Sequence, residues 1–207
     1  MIKLCVFDFD STLMDGETIT ILSKALGKDK EVSEITKRAM AGELDFYESL
    51  VKRVRLIEGL PLSDAMEVAR NLTFIEGAKD IITYLKAKGI KTVVFSGGFH
   101  IATDPAQEKL GYDLNFSNEL HHKNGILTGH VGGEMMFGDS KGKMLARLKS
   151  FLNLKDEEIA CVGDGANDVS MFKEAGTGIA FCANEILKKA ATHIIDTKDL
   201  REIKQIL

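Results

Sequence analysis

The 207-residue chain is short of several things, and most of those shortages exclude a class of function. It has no apolar run near the roughly 20 residues that a membrane-spanning helix needs. Its opening, MIKLCVFDFD, is apolar for only a few residues before it meets Asp8 and Asp10, too short for a signal peptide. Basic residues are not in excess: the net charge is −4, and no segment carries the footprint of a nucleic-acid partner. Cys5, Cys161 and Cys182 are odd in number and far apart, with no metal-ligand spacing. In their apolar, strand-like contexts they read as buried, reduced thiols of a cytoplasmic protein. Two prolines leave no room for a long rigid linker, and there are no repeats or low-complexity runs. Only the absence of tryptophan excludes nothing.

What is present suits one core domain with a modest insertion, since 44% of residues are hydrophobic. Residues 2–8 form an apolar run ending in acids, as a fully buried strand would. Residues 17–72 then carry only helical patterns, broken near Gly27, Gly42 and Gly59-Leu60-Pro61. From Gly77 the rhythm changes to helix 78–88, strand 91–95 and helix 99–110. Short strands follow over 113–131, with Lys123-Asn124-Gly125 as a hairpin turn. The rest reads as helix 140–152, strand 158–162, helix 167–175, strand 178–181, a helix, strand 193–195 and a last helix. Alternation of this kind predicts an α/β fold, a doubly wound parallel sheet with helices on both faces. The early helical block interrupts it as a cap inserted over the sheet edge. The expected division is a core of 1–14 and 75–207 and a helical cap of 15–74.

Ligands of such a sheet sit where the strands end. Asp8, Asp10, Ser11 and Thr12 follow the first strand, and Ser96, Gly97 and Gly98 the second. Lys141 opens a later helix, and Asp164, Asn167 and Asp168 follow the fourth strand. Carboxylates converging there would be strongly unfavourable without a counter-ion. A hard cation with oxygen ligands resolves this, and Mg²⁺ shared with a substrate phosphate is the usual solution. Ser96, the amides around Gly97 and Gly98, and Lys141 supply donors for phosphate oxygens. One carboxylate can attack phosphorus; the second, two residues on, can protonate the leaving alcohol and later activate water. Taken singly, D-x-D, Ser-Gly-Gly, a helix-start lysine and Asp-Gly are ordinary turn or surface features. Their joint appearance in this order, each where the fold would bring it to one edge, favours the chemical explanation.

At these residues the sequence resembles the haloacid-dehalogenase superfamily of phosphotransferases. DFDST (Asp8–Thr12), SGG (Ser96–Gly98), Lys141 and GDGAND (Gly163–Asp168) are similar to its four motifs. The resemblance implies strand order 5-4-1-2-3 and a helical cap after the first motif. Further segments, SGGF, GHVGGE, VGDGANDVSMF and IAFCA, resemble a branch of the superfamily that hydrolyses O-phosphoserine. That resemblance implies Mg²⁺-dependent release of phosphate from O-phosphoserine through an aspartyl-phosphate, as the last step of serine biosynthesis. It implies Asp8 as nucleophile and Asp10 as acid and base. Metal would be held by Asp8, Asp164 and the main-chain carbonyl of Asp10, with Asp168 binding it directly or through water. Asn167 would contact the phosphate. In the cap, Arg53 would grip the substrate carboxylate, Glu17 would lie near its ammonium group, and Met40 and Phe46 would close the rim. Two departures, His100 after SGGF and Glu76 before Gly77, touch no motif residue. Some members carry an N-terminal regulatory domain; none is expected here, where the first motif opens the chain.

Periodicity alone places Phe46, Leu50, Arg53 and Ile57 on one apolar stripe, with Lys52 and Arg55 elsewhere. On that ground an arginine snorkelling from the stripe edge is slightly the better explanation. With the resemblance, carboxylate recognition is preferred, because arginine binds carboxylates bidentately. His121, His122 and His130 read as solvated strand residues, not a metal site. Other readings stay open: transfer of the phosphoryl group to another alcohol such as homoserine, hydrolysis of another small phosphorylated metabolite, or a catalytically dead phosphate-binding module. The last would have lost a charged motif residue, and none is missing. No nucleic-acid or membrane partner is expected, and the chain could be a monomer or a homodimer.

Overall fold

The structure is a computed structural model and describes residues 1–40 and 43–207, without the side chain of Met40. The strands are β1 (Leu4–Phe7), β2 (Lys91–Phe99), β3 (Leu114–Lys123), β4 (Ile126–Gly133), β5 (Ile159–Gly163), β6 (Thr177–Phe181) and β7 (His193–Ile195). The α-helices are α1 (Thr18–Ser23), α2 (Asp29–Met40), α3 (Phe46–Arg55), α4 (Leu62–Arg70) and α5 (Ala78–Ala87). They continue with α6 (His100–Leu110), α7 (Ser140–Leu152), α8 (Val169–Phe172) and α9 (Glu185–Ala190).

β1 is fully buried because helices cover both faces of the sheet it centres. Its side chains alternate between two cores: Cys5 and Phe7 join Val94 and Val162 on one face, Leu4 and Val6 join Phe95 and Cys161 on the other. The strands form one sheet in the order β4-β3-β2-β1-β5-β6-β7, parallel except for β3 against β4. The expected 5-4-1-2-3 order is β6-β5-β1-β2-β3 here, extended by one strand at each side. β1 lies between β2 and β5, so the chain leaves it in opposite directions. A crevice opens at its carboxyl end. The β3–β4 turn is Asn124-Gly125, both at positive φ (52° and 75°), the twist a two-residue hairpin requires.

Helices α1–α4 occupy the interval between β1 and β2, as the pattern predicts. Their apolar faces meet in a separate cluster of Ile19, Leu22, Val32, Leu50, Val54 and Ile57, which also takes Phe99, Leu120, Leu127 and Met136. Backbone hydrogen bonds fasten this block to the hairpin: Gly59 N to Leu127 O at 2.9 Å and Leu62 N to Gly125 O at 2.8 Å. Asp45 caps α3 by accepting from Glu48 N at 3.1 Å. Tyr47 of α3 stacks on Phe137 of the loop before α7, with ring centroids 5.4 Å apart.

Some expectations need correcting. β2 runs on to Phe99, where it pairs with Asn118 after a register shift. The helix expected at 167–175 is a 3₁₀ turn (Ala166–Asp168) followed by the short α8, and the last helix, Leu200–Gln205, is 3₁₀. Cys5 and Cys161 are buried, but Cys182 is exposed: it stands just past β6 at φ 45°, where the chain turns out of the sheet. His121, His122 and His130 are exposed on the hairpin, as expected. Among the described residues no helix is long and apolar enough to cross a membrane.

The start of α7 is seated on α8. Gly142 N donates to Ser170 Oγ at 3.1 Å, and a Cβ at Gly142 would lie 2.5 Å from the Ser170 carbonyl oxygen. Inside an exposed helix, Gly→Ala gains about 1 kcal/mol. Overpacking against backbone costs about 1–3 kcal/mol, and backbone cannot rotate aside. Gly142→Ala should therefore lower stability despite the helical gain, read as a fall in Tm and in the urea midpoint.

Candidate active site

The floor of the crevice is built on one buried ammonium group. Lys141 Nζ, from the first turn of α7, lies 2.6 Å from Asp8 Oδ1 and 2.6 Å from Asp168 Oδ1. Asp8 stands directly after β1 and also accepts from Phe9 N at 2.7 Å. The other oxygen of Asp168 accepts from the amides of Asp164 and Gly165, each at 3.0 Å. Three segments remote in sequence are thereby fixed to one point. Burial works against the Lys141 cation, but the Asp168 and Asp8 carboxylates outweigh it and its pKa is raised. Burial, reinforced by the Asp168 charge, pushes Asp8 up to about 7, although Lys141 pulls the other way. Asp164 is pushed well above the carboxylate range by burial and by the charges of Asp8 and Asp168.

Carboxylate oxygens of Asp8, Asp164 and Asp168 lie within 4.8 Å of one another. One lysine cannot neutralise three carboxylates, and oxygen-only donors at this spacing suit a hard divalent cation. The residues present fit such an ion. The Asp10 carboxylate is not in that set. Its Oδ1 accepts from Thr18 N at 2.9 Å and Thr18 Oγ1 at 2.5 Å, which holds it toward the helical block. Burial raises its pKa, while the two Thr18 bonds and the charges of Arg53 and Lys141 lower it.

The Ser96-Gly97-Gly98 segment forms one wall. Ser96 is buried, and its Oγ accepts from Gly98 N at 2.9 Å. A Cβ on Gly98 would lie 2.7 Å from Asp10 Oδ2, so glycine lets that carboxylate approach the backbone. Buried Asn118 holds this wall from behind. Its Nδ2 donates to Gly97 O and Met135 O, each at 3.1 Å, and its Oδ1 accepts from Met135 N at 2.9 Å.

A cavity of about 340 Å³ separates this floor from the helical block. Asp8, Asp10, Asp164 and Asn167 line one end; Glu17, Thr36, Phe46 and Arg53 line the other. Ser96, Lys141 and Asp168 are buried and do not line it. Arg53 lies in the α3 stripe, as its spacing predicts, but is buried there and does not snorkel to water, while Lys52 and Arg55 are exposed. Its Nε donates to Ser49 O and its Nη1 to Thr36 Oγ1, both at 3.3 Å, and Nη1 lies 3.9 Å from Glu17 Oε2. Burial lowers the Arg53 pKa, partly offset by Glu17 and Asp10. Glu17 is pushed up to about 8 by burial, with the Asp10 charge adding and Arg53 opposing. Phe46 rests on Gly97, where a Cβ would lie 2.7 Å from its Cζ. The Met40 side chain lies outside the described residues. Thr18, Thr36 and Asn118 carry no signal in the sequence beyond their nearness to Glu17, Met40 and the hairpin.

Carboxyls raised in the folded state hold protons that the unfolded chain has released above its ordinary carboxylate range. The stability they confer is full below that range and is lost as pH rises through the folded values, about 7 for Asp8 and about 8 for Glu17. With divalent cations chelated, the unfolding free energy should fall from the ordinary carboxylate range, about pH 4, up to about pH 8. Urea titrations should show a shallower fall for Glu17→Gln.

This geometry has close counterparts. Residues 2–176 match the family model of the haloacid dehalogenase-like hydrolases. The chain is 60% identical over 207 residues to the phosphoserine phosphatase of Campylobacter jejuni subsp. doylei, covering 100% of both chains. It is 47% identical to that of Methanocaldococcus jannaschii, covering 97% of this chain and 95% of the relative. Among solved structures, a phospho-aspartyl intermediate analogue of phosphoserine phosphatase aligns with TM-score 0.95 at 46% identity, covering 100% of this chain and 99% of the other. A substrate-bound phosphoserine phosphatase complex aligns with TM-score 0.96 at 45% identity, with the same coverage. The chain belongs to the haloacid dehalogenase-like hydrolases and, within them, to the phosphoserine phosphatase family.

Proposed function

We propose that this protein hydrolyses O-phosphoserine to serine and phosphate through a phosphorylated Asp8. One observation carries the reading: a single cavity has a carboxylate–lysine centre at one end and the Arg53–Glu17 pair at the other. A phosphate ester that also carries a carboxylate and an ammonium group matches both ends at once. The same-family relatives and the substrate-bound and phospho-aspartyl structures support it. Residues 15–74 act as a cap over a core of 1–14 and 75–207, and the cavity is the space between them.

Asp8 attacks phosphorus with one carboxylate oxygen, in reach of the charge that Lys141 supplies. The ester bond breaks, and the serine oxygen leaves with a proton from Asp10. An alkyl alcohol has a high pKa and needs that proton, and burial favours the neutral acid. Asp10, now a carboxylate steadied by the Thr18 donors, then takes a proton from water as it hydrolyses the acyl phosphate. Mg²⁺, for which Asp8, Asp164, Asp168 and the Asp10 carbonyl would be the ligands, supplies positive charge against the transferring phosphoryl group. Ser96, the Gly97 and Gly98 amides and Asn167 contact the phosphate region. Arg53 takes the substrate carboxylate, Glu17 the ammonium group, and Phe46 with Met40 seals the rim. The cavity serves a small-molecule substrate.

A panel of phosphorylated metabolites tests the function. Phosphate release should be fastest from phosphoserine, stop with EDTA and return with Mg²⁺, and rapidly quenched enzyme should carry the phosphoryl group on Asp8. Release that depends on an added alcohol acceptor would identify a phosphotransferase instead.

Arg53 should set substrate choice and leave the chemistry alone, because it stands at the far end of the cavity from Asp8. Removing one member of a desolvated charge pair costs about 2–5 kcal/mol. Arg53→Ala should therefore lower kcat/KM for phosphoserine by roughly 30- to several-thousand-fold. Phosphoethanolamine, which lacks the carboxylate, should lose far less. Equal losses on both would place Arg53 in support of the cap.

A further inference from the structure

Phe46, Ser49, Leu50 and Arg53 are spaced i, i+3, i+4, i+7 along α3, and all four line the cavity. Three have evident work: an apolar lid, core packing and a cation. Ser49 does not. It is completely buried, and its Oγ is the one buried side-chain oxygen or nitrogen without a hydrogen-bond partner among the described residues. A helical serine commonly returns its hydroxyl to the carbonyl four residues back. Here the Asp45 carbonyl serves the Ser49 amide at 2.9 Å, and the hydroxyl makes no such bond. A buried hydroxyl left unpaired is unfavourable, and such atoms are rare in folded proteins.

Its surroundings say what would satisfy it. Arg53, one turn on, is drawn over Ser49 by the bond from its Nε to the Ser49 carbonyl, so the two residues share one stretch of the cavity lining. Thr36, the other hydroxyl lining that end, already accepts from Arg53. A carboxylate offers about four lone-pair sites, and a bidentate arginine fills two. We propose that Ser49 is a specificity-determining residue whose hydroxyl donates a hydrogen bond to the substrate carboxylate beside Arg53. This deepens the phosphoserine reading above and rests on it.

The test compares wild type and Ser49→Ala in thermal melts without ligand and in kcat/KM on phosphoserine and phosphoethanolamine. The hydroxyl has no partner in the free protein, so the variant should melt no lower than wild type. On phosphoserine kcat/KM should fall about tenfold or more, chiefly through KM, as expected for a lost bond to a charged group. The loss on phosphoethanolamine should be several-fold smaller. A lower melting temperature, equal losses on both substrates, or undiminished activity on phosphoserine would overturn the assignment. A wild type that does not prefer phosphoserine would overturn the substrate reading and the Ser49 assignment together, an outcome visible before any variant is made.

Discussion

The buried ammonium of Lys141 is the fixed point of this molecule. Burying an ion pair seldom adds net stability, because desolvation consumes the Coulombic gain. Its effect here is on arrangement. Asp8 and Asp168 could not approach each other in a low-dielectric crevice without a cation between them, and Lys141 lies 2.6 Å from both. The end of β1, the start of α7 and the loop after β5 are consequently drawn to one place. The contact between Gly142 and Ser170 completes the seating by locking the helix that carries the lysine. Even so, the carboxylates outnumber it. The residual negative charge makes the site receptive to a divalent cation and, with that cation, to a phosphate.

The helical block supplies the opposite end of the cavity under a different constraint. It is held by hydrogen bonds to the β3–β4 hairpin and by the Tyr47–Phe137 stack, contacts at its edges that leave the middle hollow. Within that hollow Arg53 cannot reach bulk water freely. Its hydrogen bonds to Thr36 and the Ser49 carbonyl, together with nearby Glu17, keep it oriented toward the floor. Asp10 links the two halves, since Thr18 of the block holds its carboxylate.

Much of this was legible in the sequence because the signals were strong and local. The apolar run at Leu4–Phe7, the Asn124-Gly125 turn and the helix over Ser140–Leu152 each follow from residues adjacent in the chain. Asp8, Asp10, Asp164 and Asp168 were legible because each follows a strand and the topology gathers strand ends. Other features were not. β2 continues through Ser96-Gly97-Gly98 because Phe99 pairs with Asn118, a contact that only the assembled sheet provides. Cys182 resembles a strand residue but sits where the backbone leaves the sheet. Thr18, Thr36, Ser49 and Asn118 are small polar residues with neither periodicity nor charge to mark them. Their importance lies in partners that are remote in sequence or in a hollow between elements.

The bare backbone at Gly97 has a consequence for how closely the helical block can settle on the sheet. The tip of the Phe46 ring lies 2.7 Å from where a Cβ would have stood, so a missing methyl group lets α3 settle this close. A side chain there would have to lift the ring, and the helix that carries it, off the strand. The approach of block to sheet therefore depends on one omitted atom. It is fixed in the wall of the crevice, at a position that has no side chain to contribute.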